Sequence, residues 1–356
     1  MSDDTQFEQP AIAIVGMAGR FPGAENPDEL WTLLREGKEG ATDFNVNELH
    51  GSESSSLIDS PSYVRRRGVV AHAEDFDAGF FGVRPLEARV MDPQQRVFLE
   101  ICHEALESAG CVPESFSGSI GVYATASENS FVERCLGGDP QLREAAGPVA
   151  VRIGNDIDYL ASGVAYRLNL SGPAITVRTA CSSSLVAIIN GCRSLHEFEC
   201  DAVLAGGVSI SAPQNTGYLH QPGSILSPDG HCRTFDQNAK GTYFSNGAAV
   251  VLLKRFEDAI ADGDNVLAKI VGFAVNNDGA NRASFTSPNV MGQAEVIAMA
   301  QEMGEVDPSS ISYIEAHGTA TEVGDPIEVE ALTMAFRRKT QETQFCGIGS
   351  IKSNLG

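Results

Sequence analysis

The chain has 356 residues, 42% hydrophobic and 20% charged, a composition that excludes intrinsic disorder and suffices for one large or two smaller cores. Asp and Glu total 47 against 25 Lys and Arg, and the resulting net charge of −22 argues against a general nucleic-acid surface. No apolar run approaches a membrane span, the start, Met1-Ser-Asp-Asp, is acidic where a signal peptide is basic, and the eight cysteines form no C-x-x-C pair of a zinc site or redox dithiol. The expectation is a reduced, cytoplasmic protein without nucleic-acid, membrane or metal partners.

Residues 11–15 predict a short strand, followed by Gly16, Gly19 and Gly23. That spacing matches neither the dinucleotide fingerprint nor the P-loop, so these glycines read as turn formers. Asn26 and Pro27 open a helix to residue 35 with Leu30, Trp31 and Leu34 on its packing face. Residues 36–76, polar and rich in Ser and Asp, read as a long surface excursion with little regular structure. Within them Arg65-Arg66-Arg67 is a candidate patch for an acidic partner, with a solvated loop as the alternative. Asp92, Pro93 and Gly110 bracket a strongly amphipathic helix. His103 inside it has no second His at metal spacing and reads as structural. Residues 120–124 predict a strand and 156–166 a helix.

Residues 174–180 alternate with period two, while Leu185, Ile188, Ile189, Cys192 and Leu195 follow helical spacing. Cys181 stands at this strand-to-helix junction. Unpaired N–H groups and the helix dipole favour a thiolate at such a place, and the serines 182–184 suit a first helical turn. A buried, inert cysteine is an equal alternative on pattern alone.

Residues 202–205 and 247–253 predict buried strands. From residue 256 the chain starts over: strand 266–275, helix 291–303, strand 311–316, helix 326–336, strand 346–349. The alternation argues for an α/β fold. The echo of the first series suggests two similar halves, 11–255 and 256–356, facing each other across one site. His317 leaves the strand 311–316 on a loop of the kind that binds ligands at sheet ends; a plain surface histidine is the alternative. A thiol at a helix start plus an imidazole able to reach a carbonyl equips a protein for acyl transfer through a thioester, and papain-like hydrolysis uses similar parts.

Glu315-Ala-His-Gly-Thr-Ala-Thr-Glu-Val-Gly-Asp-Pro326 resembles the histidine motif of β-ketoacyl synthases, and Thr179-Ala-Cys-Ser-Ser-Ser-Leu-Val-Ala187 their nucleophile motif. Ile351-Lys-Ser-Asn-Leu-Gly356 resembles the start of their third. Asp75-Phe-Asp-Ala-Gly-Phe-Phe-Gly82, Met91-Asp-Pro-Gln-Gln-Arg96, Gly154-Asn-Asp-Ile-Asp-Tyr-Leu160 and Ser227-Pro-Asp-Gly-His-Cys-Arg-Thr-Phe-Asp236 are similar to ketosynthase domains of modular type I polyketide synthases, including hybrid peptide-polyketide lines.

The resemblance implies an α/β, thiolase-like fold, two similar halves stacked in layers (αβαβα) with the second incomplete, and a homodimer. It implies that Cys181 takes an acyl chain from the phosphopantetheine arm of an acyl carrier protein, with no permanently bound cofactor. Decarboxylative Claisen condensation with a malonyl-type extender would follow. His317 would donate to the extender carbonyl, Lys352 would tune the polar network, and Thr319 and Thr321 would hold the arm. Departures are Ala320 where the family usually has Gly, and Ser245 and Ala249 in a stretch usually richer in glycine. Gly356 stands just before the motif's second histidine. A piece of a longer synthase is the favoured reading of that end, beside a split ketosynthase completed by another chain and a non-elongating domain that relays acyl groups.

Overall fold

The computed structural model describes residues 11–50, 54–282, 284–285 and 287–356; the acidic segment 1–10 lies outside the described residues. In chain order the framework is β1 (Ile12–Arg20), α1 (Pro27–Arg35), α2 (Pro93–Ser108), β2 (Ile120–Ala126), α3 (Leu160–Arg167), β3 (Ala174–Thr176), α4 (Ser183–His196), β4 (Ala202–Ser209) and β5 (Gly247–Arg255). It continues with β6 (Ala268–Ile270), α5 (Val290–Met303), β7 (Tyr313–Glu315), α6 (Gly324–Phe336), β8 (Gly347–Gly349) and α7 (Lys352–Leu355).

Six strands form one mixed sheet in the order β6-β1-β5-β4-β2-β3. The pairs β6/β1, β1/β5 and β5/β4 are antiparallel, while β4/β2 and β2/β3 are parallel. Both faces are covered, which explains the unbroken apolar runs of β2 and β4. Val122, Ala124, Ala202 and Leu204 pack with Phe98, Leu99 and Ile101 of α2 on one face. Tyr123, Val203 and Ala205 alternate to the other, against Ala187, Cys192 and Leu195 of α4. Each fully buried Leu or Ile in these layers contributes about 1.5–3 kcal/mol. Gly206 is dictated by packing between strands, since a Cβ there would lie 2.1 Å from the Ala249 carbonyl oxygen.

Strands β7 and β8 form a separate parallel pair, and Ala294, Ala298, Ala331 and Ala335 let α5 and α6 approach closely. Strand β6 lies within the expected strand 266–275 but pairs with β1 of the six-stranded sheet. No helix among the described residues is long and apolar enough to cross a membrane.

Several expectations are corrected. Strand β1 runs to Arg20, so Gly16 and Gly19 are strand residues, not turn formers; a Cβ at Gly16 would sit 2.4 Å from the Ala105 carbonyl oxygen of α2. Helix α1 is capped by Asn26 as expected, yet Trp31 is 62% exposed and Leu33 is the buried residue, packed over Gly23. Apolar residues at 30, 31, 33 and 34 fit two helical faces, and nine residues did not decide between them.

Residues 36–76 are also more ordered than their polarity suggests. Ala41–Asp43 pairs with Arg66–Gly68, and Tyr63–Val64 with Tyr218–Leu219. Arg66 is buried, paired with Glu39 and with Asp43 at 2.5 Å. Arg67 is buried too, and donates to the Thr216 carbonyl and Ser211 Oγ, both at 3.0 Å. The arginine run is therefore not a patch: two of its members are internal ties and only Arg65 faces solvent.

Candidate active site

The Cys181 turn grows from the sheet edge. β3 pairs parallel with β2, and the Val177 N–H donates to the Ala124 carbonyl at 2.8 Å. The chain then reverses through Ala180, at φ 56, into a 3₁₀ turn over Ala180–Ser182, and α4 begins at Ser183. A left-handed alanine costs about 1–2 kcal/mol, so the surroundings must hold it. Ser183 Oγ accepts from the Thr179 N–H at 2.8 Å and donates to the Ala180 carbonyl at 2.7 Å; Ser182 Oγ donates to the Thr179 carbonyl at 2.9 Å. These two serines therefore lock the turn and do not cap the orphan donors of α4, as their type had suggested. Cys181 sits in the 3₁₀ turn ahead of the helix, whose first N–H groups and dipole face that end.

Among the described residues Cys181 is the one exposed cysteine. Burial pushes the Cys192 thiol up to about 12 and the Cys102 thiol well above its usual value. Those two are core cysteines; Cys181 is not.

The second segment leaves β7. Ala316 N–H donates to the Gly349 carbonyl at 2.8 Å, after which His317 and Gly318 turn away. Gly318 has φ 48, and a Cβ there would lie 2.6 Å from Ser350 Cβ, so the loop needs glycine twice over. Glu328 of α6 accepts from the His317 N–H at 2.6 Å and the Gly318 N–H at 2.9 Å. Ser350 Oγ donates to the His317 carbonyl at 3.4 Å. The His317 residue is solvent-accessible, yet the protein packed behind it and the charge of Lys352 hold its imidazole below the usual value, against an upward pull from Glu328 and Asp325. At neutral pH it is a neutral ring with one N–H to donate.

Thr319 and Thr321 bring their hydroxyls within 3.3 Å of each other, and Thr321 Oγ1 accepts from the Gly324 N–H at 3.1 Å, at the start of α6. Between them Ala320 adopts φ 54, fully buried against Tyr218, Cys232 and Tyr243. Its carbonyl accepts from the Gly241 N–H at 2.6 Å. Asp325, 4% exposed, accepts from the Phe235 N–H at 2.7 Å, and Thr234 and Ser353 hydroxyls meet at 2.8 Å.

His317, Lys352, Thr319 and Thr321 thus share one region, with Lys352 near enough for its charge to act on His317. Cys181 arrives from the six-stranded sheet, and among the described residues no hydrogen bond or ion pair joins it to His317 or Lys352. Each of the two stands just beyond the C-terminal end of a parallel strand, the end where α/β sheets bind ligands. Glu328 and Asp325 received no role from sequence. For Glu328 the signal was present: a carboxylate in the first turns of a helix directly after a glycine-bearing loop can accept that loop's free N–H groups, whereas Asp325 accepts from the distant Phe235, which no local pattern reveals.

Residues 9–259 match the family model "Beta-ketoacyl synthase, N-terminal domain" and residues 267–356 match "Beta-ketoacyl synthase, C-terminal domain". The chain is 46% identical to a phenolphthiocerol/phthiocerol polyketide synthase of Mycobacterium tuberculosis, with 97% of this chain and 24% of that protein covered. It is 39% identical to the hybrid PKS-NRPS synthetase TAS1 of Gloeophyllum trabeum, over 97% of this chain and 22% of the other. The crystal structure of ketosynthase twelve from the bacillaene polyketide synthase of Bacillus amyloliquefaciens superposes with a TM-score of 0.91 at 38% identity, over 98% of this chain and 62% of that one. The chain therefore spans about a quarter of those two curated relatives and under two thirds of the solved ketosynthase. With an exposed cysteine on a strained turn, a braced histidine loop and both family models matched in order, the chain belongs to the β-ketoacyl synthase family, as a ketosynthase domain of the modular type I polyketide synthase kind.

Proposed function

We propose that this chain accepts an acyl group on Cys181 and joins it to a malonyl-type extender. In the first step the Cys181 thiolate attacks the acyl thioester carbonyl carbon. The bond from that carbon to the pantetheine sulfur breaks, and the departing thiolate takes up a proton. In the second, the extender loses carbon dioxide, and the electron pair of the broken C–C bond moves into an enolate whose oxygen accepts from the His317 N–H. The enolate carbon then attacks the Cys181 thioester, a C–C bond forms, and the cysteine leaves as thiolate.

The observation that carries this reading is the contrast among the cysteines: the one on the strained turn ahead of α4 is exposed while its neighbour Cys192 is sealed in the core. A neutral His317 suits the second step, since it donates without adding a positive charge beside a thiolate. Burial first, and repulsion from Lys352 second, favour the neutral ring. In the same reading Thr319 and Thr321 line the path of the phosphopantetheine arm, an acyl carrier protein delivers it, and two thiolase-like halves, 11–255 and 256–356, stack in layers within a cytoplasmic homodimer among neighbouring synthase domains.

The test is acylation by a thioester donor, followed by peptide mass mapping. Acyl mass on the Cys181 peptide, abolished in Cys181→Ala, is the expected result; undiminished labelling of the variant would remove the nucleophile. Carbon dioxide release from a malonyl carrier then separates condensation from a domain that only relays acyl groups.

A further inference from the structure

One hydroxyl in the Cys181 turn is bonded on both sides of the Thr179–Ala180 peptide. Ser183 Oγ accepts from the Thr179 N–H at 2.8 Å and donates to the Ala180 carbonyl at 2.7 Å, so it ties together the peptide planes that flank that bond. Ala180 stands between them at φ 56, a conformation that an alanine keeps only when its surroundings hold it. The Ala180 carbonyl also accepts from the Ser183 N–H. A trans peptide is one rigid plane whose C=O and N–H point in opposite directions. Whatever fixes the Ala180 carbonyl therefore aims the Cys181 N–H, away from α4 and out of its N-terminal end, where Cys181 is exposed. The first N–H groups of a helix have no partner inside it, which leaves this one for a ligand. Ser182 differs, since its Oγ reaches only Thr179, at 2.9 and 3.0 Å, and touches neither end of that plane. Ser183 is buried, so the clamp sits on the protein side of the turn and Cys181 on the open side.

We infer that Ser183 is a positioning residue for acyl transfer: by holding the Ala180 carbonyl it aims the Cys181 N–H at the oxygen that becomes negative when a thioester is attacked. This rests on Cys181 being the acyl acceptor. As the Cys181 thiolate bonds to the thioester carbon, the carbonyl π pair moves onto that oxygen; the pair returns to re-form C=O as the pantetheine thiolate leaves. The oxygen is tethered to the cysteine throughout, within reach of the cysteine's own N–H, and a donor aimed there in advance stabilises it without reorganising. Without the Ser183 hydroxyl the Thr179 N–H loses its partner, Ala180 is released from its left-handed conformation, and the 180–181 plane turns with it.

The experiment compares two reactions of the same sulfur in the 356-residue chain, for wild type, Ser183→Ala and Ser183→Thr. A hexanoyl N-acetylcysteamine thioester reads attack on a carbonyl. Iodoacetamide reads attack on a saturated carbon, where the C–S bond forms as iodide leaves with its electron pair and no oxyanion arises. Both are followed by the mass of the Cys181 peptide. Ser183→Ala should acylate about ten- to a hundredfold more slowly at saturating donor, with half-saturation and alkylation within about twofold of wild type, and Ser183→Thr, which keeps the hydroxyl, should recover most of the rate. Equal slowing of both reactions overturns the inference, because the hydroxyl would then serve the sulfur and not the N–H. Unchanged acylation in Ser183→Ala overturns it too, as does a Thr variant slowed as much as the Ala one. A Ser183→Ala chain that no longer melts cooperatively makes the hydroxyl a support of the fold and equally removes the positioning role. Failure of the wild type to acylate Cys181 while iodoacetamide still labels it removes the acyl-acceptor reading and this inference with it.

Discussion

Glu328→Gln tests the bracing of the histidine loop at the level of single hydrogen bonds. The carboxylate accepts two backbone N–H groups, from His317 at 2.6 Å and Gly318 at 2.9 Å. Gln keeps one carbonyl oxygen for one of them and turns an NH₂ toward the other, donor against donor. One charge-assisted bond is lost, about 1.5–3 kcal/mol, and the other becomes neutral. Hydrogen exchange reads this where it occurs. The peptide spanning 313–320 should exchange about ten to a hundred times faster at those amides, while the peptide spanning 120–126, in the core sheet, should not change. Removing the anion also takes away an upward pull on the His317 imidazole, so a ring-proton titration should place its midpoint lower than in the wild type. Unchanged exchange at residues 317 and 318, or a midpoint that rises, would refute the bracing role.

Gly318→Ala and Gly263→Ala both put a methyl on a left-handed residue, but the first meets Ser350 Cβ at 2.6 Å and the second meets open space. Urea unfolding should charge both about 1 kcal/mol for backbone strain and Gly318→Ala about 1–3 kcal/mol more for the clash; equal losses would contradict the packing described. Arg66→Met breaks an ion pair whose arginine is buried. It should cost about 3 kcal/mol, the low end for buried pairs because Asp43 is largely exposed, while Arg65→Met should stay within about 0.5 kcal/mol; similar midpoints for the two would restore the arginine run as a surface patch. The depressed His317 ring binds fewer protons in the folded chain than in the unfolded one. Stability should therefore fall on acidification from the unfolded value near 6.5 down through the lower folded value. Thermal melting from pH 8 to 5 should show a shallower acid decline for His317→Asn than for wild type, and parallel curves would contradict the shift.

The elements carrying chemistry were legible in the sequence because each is bracketed by strong local signals. Period-two residues before Cys181 and a 3.6-residue period after it predicted the junction, and Asp92, Pro93 and Gly110 predicted α2 nearly to the residue. What escaped was set by distant partners. The burial of Arg66 and Arg67 depends on Glu39, Asp43 and segment 211–216, none of which a local pattern reveals. Gly16 and Gly19 are in the strand because β1 pairs with β5 through them, and they are glycine because α2 and Phe21 crowd those positions, neither of which hydropathy encodes. The roles of Ser182 and Ser183 were misjudged for a related reason: a hydroxyl that suits a helix cap suits a 3₁₀ turn equally well, and only the left-handed Ala180 decides between them.

The two halves of the site are held by different means. The Cys181 turn is closed by its own side chains, with Ser182 and Ser183 bonding back to Thr179 and Ala180, and it is rooted in the six-stranded sheet through Val177. The histidine loop is held from outside, by Glu328 of α6, by Ser350 beyond β8, and by Gly241 through Ala320. Segment 234–243 also ties into α6 through Phe235 and Asp325 and into α7 through Thr234 and Ser353. Displacement of that segment therefore acts on His317 before it acts on Cys181. A chain divided in this way keeps its sulfur fixed while the orientation of its imidazole depends on several separate contacts, and lesions in residues 234–243 should weaken the step that needs His317 while acyl loading on Cys181 persists.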